Sequence, residues 1–121
     1  MALIMIADDD ANYAAMICAF LETQGHSVVS AGDALELFKK LQGRTPDLFI
    51  LDMKMPGGGG PGAVKFLGET PRASRTPIII LSAMPVEEQK RSFSDVSHIR
   101  FLRKPVELPE LAKLVKELVA K

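Results

Sequence analysis

Short, mainly apolar runs recur along the chain at residues 3–7, 28–31, 48–51, 78–81 and 99–102, the second and fifth each carrying one polar residue, Ser30 and Arg100, and between them apolar residues return at helical spacing. Runs such as Leu48-Phe49-Ile50-Leu51 and Ile78-Ile79-Ile80-Leu81 lack polar alternation, as expected of strands covered on both faces of a parallel sheet. The first helical stretch carries Tyr13, Met16, Ile17, Phe20 and Leu21, with Asp10 as its N-cap and Gly25 at its end. The second carries Leu35, Phe38 and Leu41 between Asp33 and Gly43. Pro61 suits the first turn of a short third helix running through Leu67. A fourth is expected from about Pro85 to Ser94, with an apolar face thinned to Val86 and Phe93, which makes it the least firmly anchored element. Leu108, Leu111, Leu114, Val115 and Leu118 mark the last. Five strands alternating with five helices predict an α/β fold, a doubly wound five-stranded parallel sheet with helices on both faces.

Composition narrows the function. A chain of 121 residues is read as one domain spanning 1–121. Fifteen basic residues offset fifteen acidic ones, which leaves no electrostatic footprint for nucleic acid or an anionic membrane surface. No apolar run approaches a membrane span, and residues 3–7 are too short for a secretory signal, so a cytoplasmic location is expected. Cys18, the single cysteine, has no internal disulfide partner and is expected to be a buried structural thiol. His26 and His98 fall at strand beginnings and are expected to be surface or partly buried side chains rather than ligands or phosphodonors.

The chemistry gathers at the strand ends. Asp8 and Asp9 follow the first run, Asp52 the third, Ser82 the fourth and Lys104 the fifth, so parallel strands bring all five to one sheet edge, where open α/β sheets place their ligand sites. Each has a plain structural alternative: Asp52 as a turn former, Asp8 or Asp9 as a further cap, Ser82 as a cap, Lys104 as a solvated lysine. Two carboxylates within about 4 Å repel by about 4 kcal/mol at an effective dielectric near 20. A divalent cation relieves such a cluster, and oxygen donors without nearby His or Cys favour Mg²⁺ held by carboxylates, a carbonyl and waters. Lys104 and Ser82 would then complete a site for a phosphoryl group. The run Gly57 to Gly60 lacks a following Gly-Lys-Ser/Thr and so is no nucleotide loop; it is read as a flexible lid or spacer kept out of helix by Pro56 and the glycines.

Asp8-Asp9, Asp52 with Met55-Pro56, Leu81-Ser82-Ala83 and Phe101-Leu102-Arg103-Lys104-Pro105 together resemble the receiver domain of two-component response regulators, in order and spacing across nearly the whole chain. The resemblance implies a CheY-like, flavodoxin-like (βα)5 fold that works as a signalling switch rather than as an enzyme. It implies that Asp52 accepts a phosphoryl group from a histidine kinase or histidine phosphotransfer protein, and that Asp9, Asp52 and the Lys54 backbone carbonyl coordinate Mg²⁺, with Asp8 acting through a bound water. It further implies that Lys104, the Ser82 hydroxyl and the Ala83 backbone amide hold the acyl phosphate. Ser82 and Phe101 would be the switch residues, acting on a surface made by the fourth helix, fifth strand and last helix that serves a partner, an output domain or a homodimer. Phe101 is equally at home as a core aromatic. Lys54 and Met84, each two residues past a site residue, are expected to tune water access to the acyl phosphate.

Two departures stand out: Ser97-His98 occupies a position where receivers often have Gly-Ala, and the glycine run is looser than usual. Two other readings compete. One is an aspartate-nucleophile phosphatase using Asp8 and Asp10, weakened by Ala11-Asn12 where the haloacid dehalogenase family has Gly-Thr. The other is a pseudo-receiver, an interaction module that keeps the fold and takes up no phosphate.

Overall fold

A computed structural model describes residues 2–56 and 58–120. Strands β1 (Leu3–Ala7), β2 (Ser27–Ala31), β3 (Leu48–Asp52), β4 (Ile78–Ser82) and β5 (Ile99–Arg103) alternate with helices α1 (Ala11–Thr23), α2 (Ala34–Leu41), α3 (Gly59–Gly68), α4 (Val86–Lys90) and α5 (Leu108–Val119). The strands form one parallel sheet in the order β2-β1-β3-β4-β5, the doubly wound arrangement expected. Period-two alternation sends Met5, Phe49, Leu51, Ile78 and Ile80 to a core shared with Leu37 and Leu41 of α2 and Ala63 and Leu67 of α3. Ile4, Ile6, Leu48, Ile50, Ile79 and Leu81 go to the other face, under Ile17 and Leu21 of α1 and Leu111, Val115 and Leu118 of α5. Every residue of β3 and β4 is buried, which is why those two runs are the most apolar of the five.

Both predicted caps form. The Asp10 carboxylate accepts from Tyr13 N–H at 3.1 Å, and Asp33 accepts from Glu36 N–H at 2.8 Å. The inward face of α2 is Ala34, Leu37 and Leu41, whereas Leu35, expected inside, is 61% exposed. Met16 likewise lies outward, with Ala14 taking its place in the core. Cys18 is half-buried rather than buried, and burial, followed by the charge of Glu22, raises its thiol pKa. His26 and His98 are partly buried at the amino-terminal ends of β2 and β5, as expected.

Two helices depart from the expected boundaries. The fourth does not run to Ser94: α4 stops at Lys90, and Phe93 reaches the core from the turns that follow, edge-on to Phe101 with ring centroids 5.5 Å apart. α3 starts two residues before Pro61, so the glycine run is not kept out of helix. Nor is it loose. Gly57 lies outside the described residues, but Gly58 (φ +98°) and Gly59 (φ +66°) adopt left-handed backbone, and Gly59 and Gly60 are buried. A Cβ on Gly59 would stand 2.7 Å from the Met53 carbonyl oxygen, and one on Gly60 would stand 3.2 Å from that of Asp52. The glycines therefore let α3 close against the exit of β3, where Gly60 N–H donates to Met53 O at 2.9 Å.

Candidate functional site

The carboxyl ends of β1, β3, β4 and β5 bring the five predicted polar residues together. Asp52 and Ser82 are the last residues of their strands; Asp8 and Lys104 come one step after theirs. Asp8 is 2% and Asp52 7% exposed, whereas Asp9 faces solvent. One carboxylate oxygen from each of Asp8, Asp9 and Asp52 lies within 4.8 Å of the others. Lys104 Nζ reaches across from β5, 2.8 Å from Asp8 Oδ2 and 3.5 Å from Asp52 Oδ1. Its ammonium also sits 4.6 Å from the Tyr13 ring centroid, and the Tyr13 hydroxyl accepts from Val106 N–H at 3.2 Å. Helical spacing accounted for Tyr13 as a core residue and gave no sign of this second contact.

The electrostatics follow from crowding. Burial, then the charge of Asp8, push the Asp52 carboxyl up to about 6; the Lys104 charge and the Lys54 backbone N–H hold it back in part. Burial pulls the Lys104 ammonium down, but its hydrogen bond to Asp8 and the charges of both aspartates outweigh that, so its pKa is raised. Three aspartate side chains crowd around the Lys104 ammonium and offer only oxygen donors. Such a set fits a hard divalent cation that binds through oxygen. Among the described residues this is the one group of three or more side chains with metal-ligand geometry.

Asp8 is less free than the others. Its Oδ1 accepts Asp10 N–H at 2.9 Å and its Oδ2 takes the lysine, an engagement that leaves it poorly placed as a nucleophile in the phosphatase reading. A cleft of about 460 Å³ opens instead beside Asp52, lined by Lys54, Ser82, Ala83, Met84, Glu88 and Lys104. Glu88, from the first turn of α4, was not anticipated; an acid in a polar helix gives no signal of facing a site. Ser82 Oγ accepts Met84 N–H at 3.1 Å, and its carbonyl accepts Lys104 N–H at 2.8 Å. Phe101, expected as either switch or core, is half-buried. Hollows at the amino-terminal sheet edge, near His98, and between α1 and α5, near His26, contain no such convergence of acids.

The model of the response regulator receiver domain matches residues 4–116. The chain belongs to this family. Among related receivers, response regulator RR06 of Streptococcus pneumoniae is 32% identical over 116 residues, covering 96% of this chain and 52% of that protein. The phosphate regulon regulator PhoB of Escherichia coli is 28% identical, with 96% and 51% covered. A gliding motility regulatory protein of Myxococcus xanthus is 35% identical over 84% of this chain, but only 13% of its own length. The receiver thus spans about half or less of the length of these curated relatives. In structure it resembles the chemotaxis response regulator CheY4 of Vibrio cholerae, with a TM-score of 0.89, 28% identity and 98% of both chains covered. It has the same fold, at a TM-score of 0.89 and 20% identity, as the receiver domain of sensor histidine kinase PA1611 from Pseudomonas aeruginosa, a structure with a magnesium ion coordinated in its active site cleft. It is a two-component signalling domain, and no enzyme family is indicated. No described helix is long and apolar enough to cross a membrane.

Proposed function

We propose that Asp52 is the phosphoacceptor of a Mg²⁺-dependent phosphorelay step, taking a phosphoryl group from a histidine kinase or histidine phosphotransfer protein in the cytoplasm. The observation that carries the reading is the single cleft in which Asp8, Asp9 and Asp52 crowd within 4.8 Å under the Lys104 ammonium. Asp9, Asp52 and the Lys54 backbone carbonyl would hold the metal, with Asp8 linked to it through water, and bound Mg²⁺ supplies charge neutralisation to the phosphoryl oxygens. The magnesium in the PA1611 receiver lends support.

The chain's own groups supply the rest. Asp52 presents an oxygen at the cleft floor, fixed by a strand buried along its whole length, so that attack on phosphorus proceeds in line as the phosphorus–nitrogen bond of the donor histidine breaks. Lys104 is already 3.5 Å from that carboxylate, and a short shift moves its charge onto the new phosphoryl oxygens. Ser82, 4% exposed, brings its hydroxyl proton from the facing strand, and the Ala83 backbone N–H offers a second donor. The added charge then draws the β4–α4 loop inward, and Phe101 follows on the face built by α4, β5 and α5, which would meet a partner, an output domain or a second copy. Lys54 and Met84 line the cleft mouth and would set how readily water hydrolyses the acyl phosphate.

Incubation with acetyl phosphate and Mg²⁺ tests the reading. Intact mass should rise by one phosphoryl group in the wild type and stay unchanged in Asp52→Ala. Labelling that survives Asp52→Ala, or needs no divalent cation, would reject it. Absence of labelling in the wild type would favour the pseudo-receiver.

A further inference from the structure

α4 has only five residues and no side-chain cap, too little to hold itself by local helix formation. Its one fully buried side chain is polar: Gln89, 0% exposed. The Gln89 amide nitrogen donates twice, to Met84 O at 2.9 Å and to Leu102 O at 3.1 Å, while its amide oxygen is buried with no described hydrogen-bond partner. A buried acceptor without a donor costs free energy that a leucine of similar size would not incur. Packing alone therefore gives no reason for glutamine here, whereas the two donated bonds do.

Their targets are specific. Met84 lies in the short loop between Ser82, the last residue of β4, and α4, and its own N–H is bound to Ser82 Oγ. Leu102 is the β5 residue next to Phe101, and the following Arg103 donates from Nε to the Ala83 carbonyl at 2.9 Å. The two consecutive loop carbonyls are thus each held by a side chain, one from β5 and one from a glutamine that also grips β5.

We propose that Gln89 is a positioning residue that makes the β4–α4 loop and β5 move as one unit, so that a displacement of Ser82 toward a phosphoryl group on Asp52 is passed to Leu102 and Phe101. This rests on the phosphoacceptor reading above. Movement of Ser82 pulls on Met84, and the shared NH₂ group prevents Met84 from moving without either dragging Leu102 or breaking a buried hydrogen bond. In Gln89→Leu the volume remains and both bonds are lost. In Gln89→Asn the amide remains on a stem one methylene too short to reach both carbonyls.

The experiment records intact mass after acetyl phosphate and Mg²⁺ treatment, together with backbone amide NMR shifts before and after, for wild type, Gln89→Leu and Gln89→Asn. The expected result is continued labelling of both variants and an undiminished shift at Ala83. The shifts at Phe101 and Leu102 should fall by at least about fivefold relative to it. A purely structural glutamine would lower the melting temperature and leave that ratio unchanged, which overturns the proposal. In the wild type itself, the Gln89 side-chain NH₂ resonances should move on phosphorylation; if they stay in place, the proposal is overturned even should neither variant fold. Absence of label in the wild type rejects the phosphoacceptor reading, and the coupling with it, which separates that failure from a preserved Phe101 response in labelled variants.

Discussion

The two sides of the sheet are held by different means. Toward β2, the strands β1 and β3 are fastened by burial: every β3 residue is inside, and α2 is capped by Asp33 and seated on Leu37 and Leu41. The edge strands β2 and β5 each bury one residue, Ala31 and Ile99, but on the β5 side α4 is one turn long without a side-chain cap, and Gln89 and Arg103 tie it and its preceding loop to β5 through hydrogen bonds. Apolar burial opposes displacement over its whole contact area, whereas a few hydrogen bonds can be exchanged for others at small net cost. Asp52 therefore ends a strand held by burial, whereas Ala83 and Phe101 lie on the side held by hydrogen bonds, which Ser82 borders at the end of β4.

Lys104 is where the two sides meet, so its removal should have the largest effect on stability. In Lys104→Met, buried Asp8 and Asp52 lose their counter-ion, and urea titration without divalent cation should show a loss of about 3 kcal/mol. Mg²⁺ should restore part of it. A variant as stable as wild type in chelator would show that the sides are not coupled electrostatically.

Gly59→Ala tests the rigid side at the exit of β3. A left-handed φ together with a 2.7 Å approach to Met53 O predicts a loss of about 2 to 3 kcal/mol. Gly43→Ala, with φ +76° and open space around its Cβ, should lose only about 1 kcal/mol. Equal losses would restore the view of the glycine run as a loose spacer.

A third test concerns pH. The native Asp52 carboxyl, raised to about 6 from an ordinary 3.8, keeps its proton where the unfolded chain has lost it. Over that window the native state binds more protons, so stability falls as pH rises. In chelator, Asp52→Asn should accordingly gain on wild type between about pH 4 and pH 6 and then level off. A difference that stays flat across the window would contradict the crowding of Asp52 by burial and Asp8.

β1, β3 and β4 and the polar residues at their ends were legible because a buried parallel strand leaves an unbroken apolar run and its end is marked by the first acid or serine after it. The order β2-β1-β3-β4-β5 was not legible in the runs themselves, since an apolar run does not name its neighbour. The end of α4 at Lys90 was not legible: no glycine or proline stands between Val86 and Ser94, and polar Gln89 looks like a surface residue unless its two acceptors are known. Leu35 misled because apolar character does not by itself fix the inward face of a two-turn helix. The glycine run looked flexible because sequence shows the missing Cβ but not the Met53 carbonyl that requires it to be missing.

Amide hydrogen exchange, compared before and after phosphorylation by acetyl phosphate with Mg²⁺, tests the division most directly. Changed exchange should be confined to the β4–α4 loop, α4 and β5, with the amides of β1, α2 and the interior of β3 unaltered. Changes spread evenly over the sheet, or centred on α2, would contradict it.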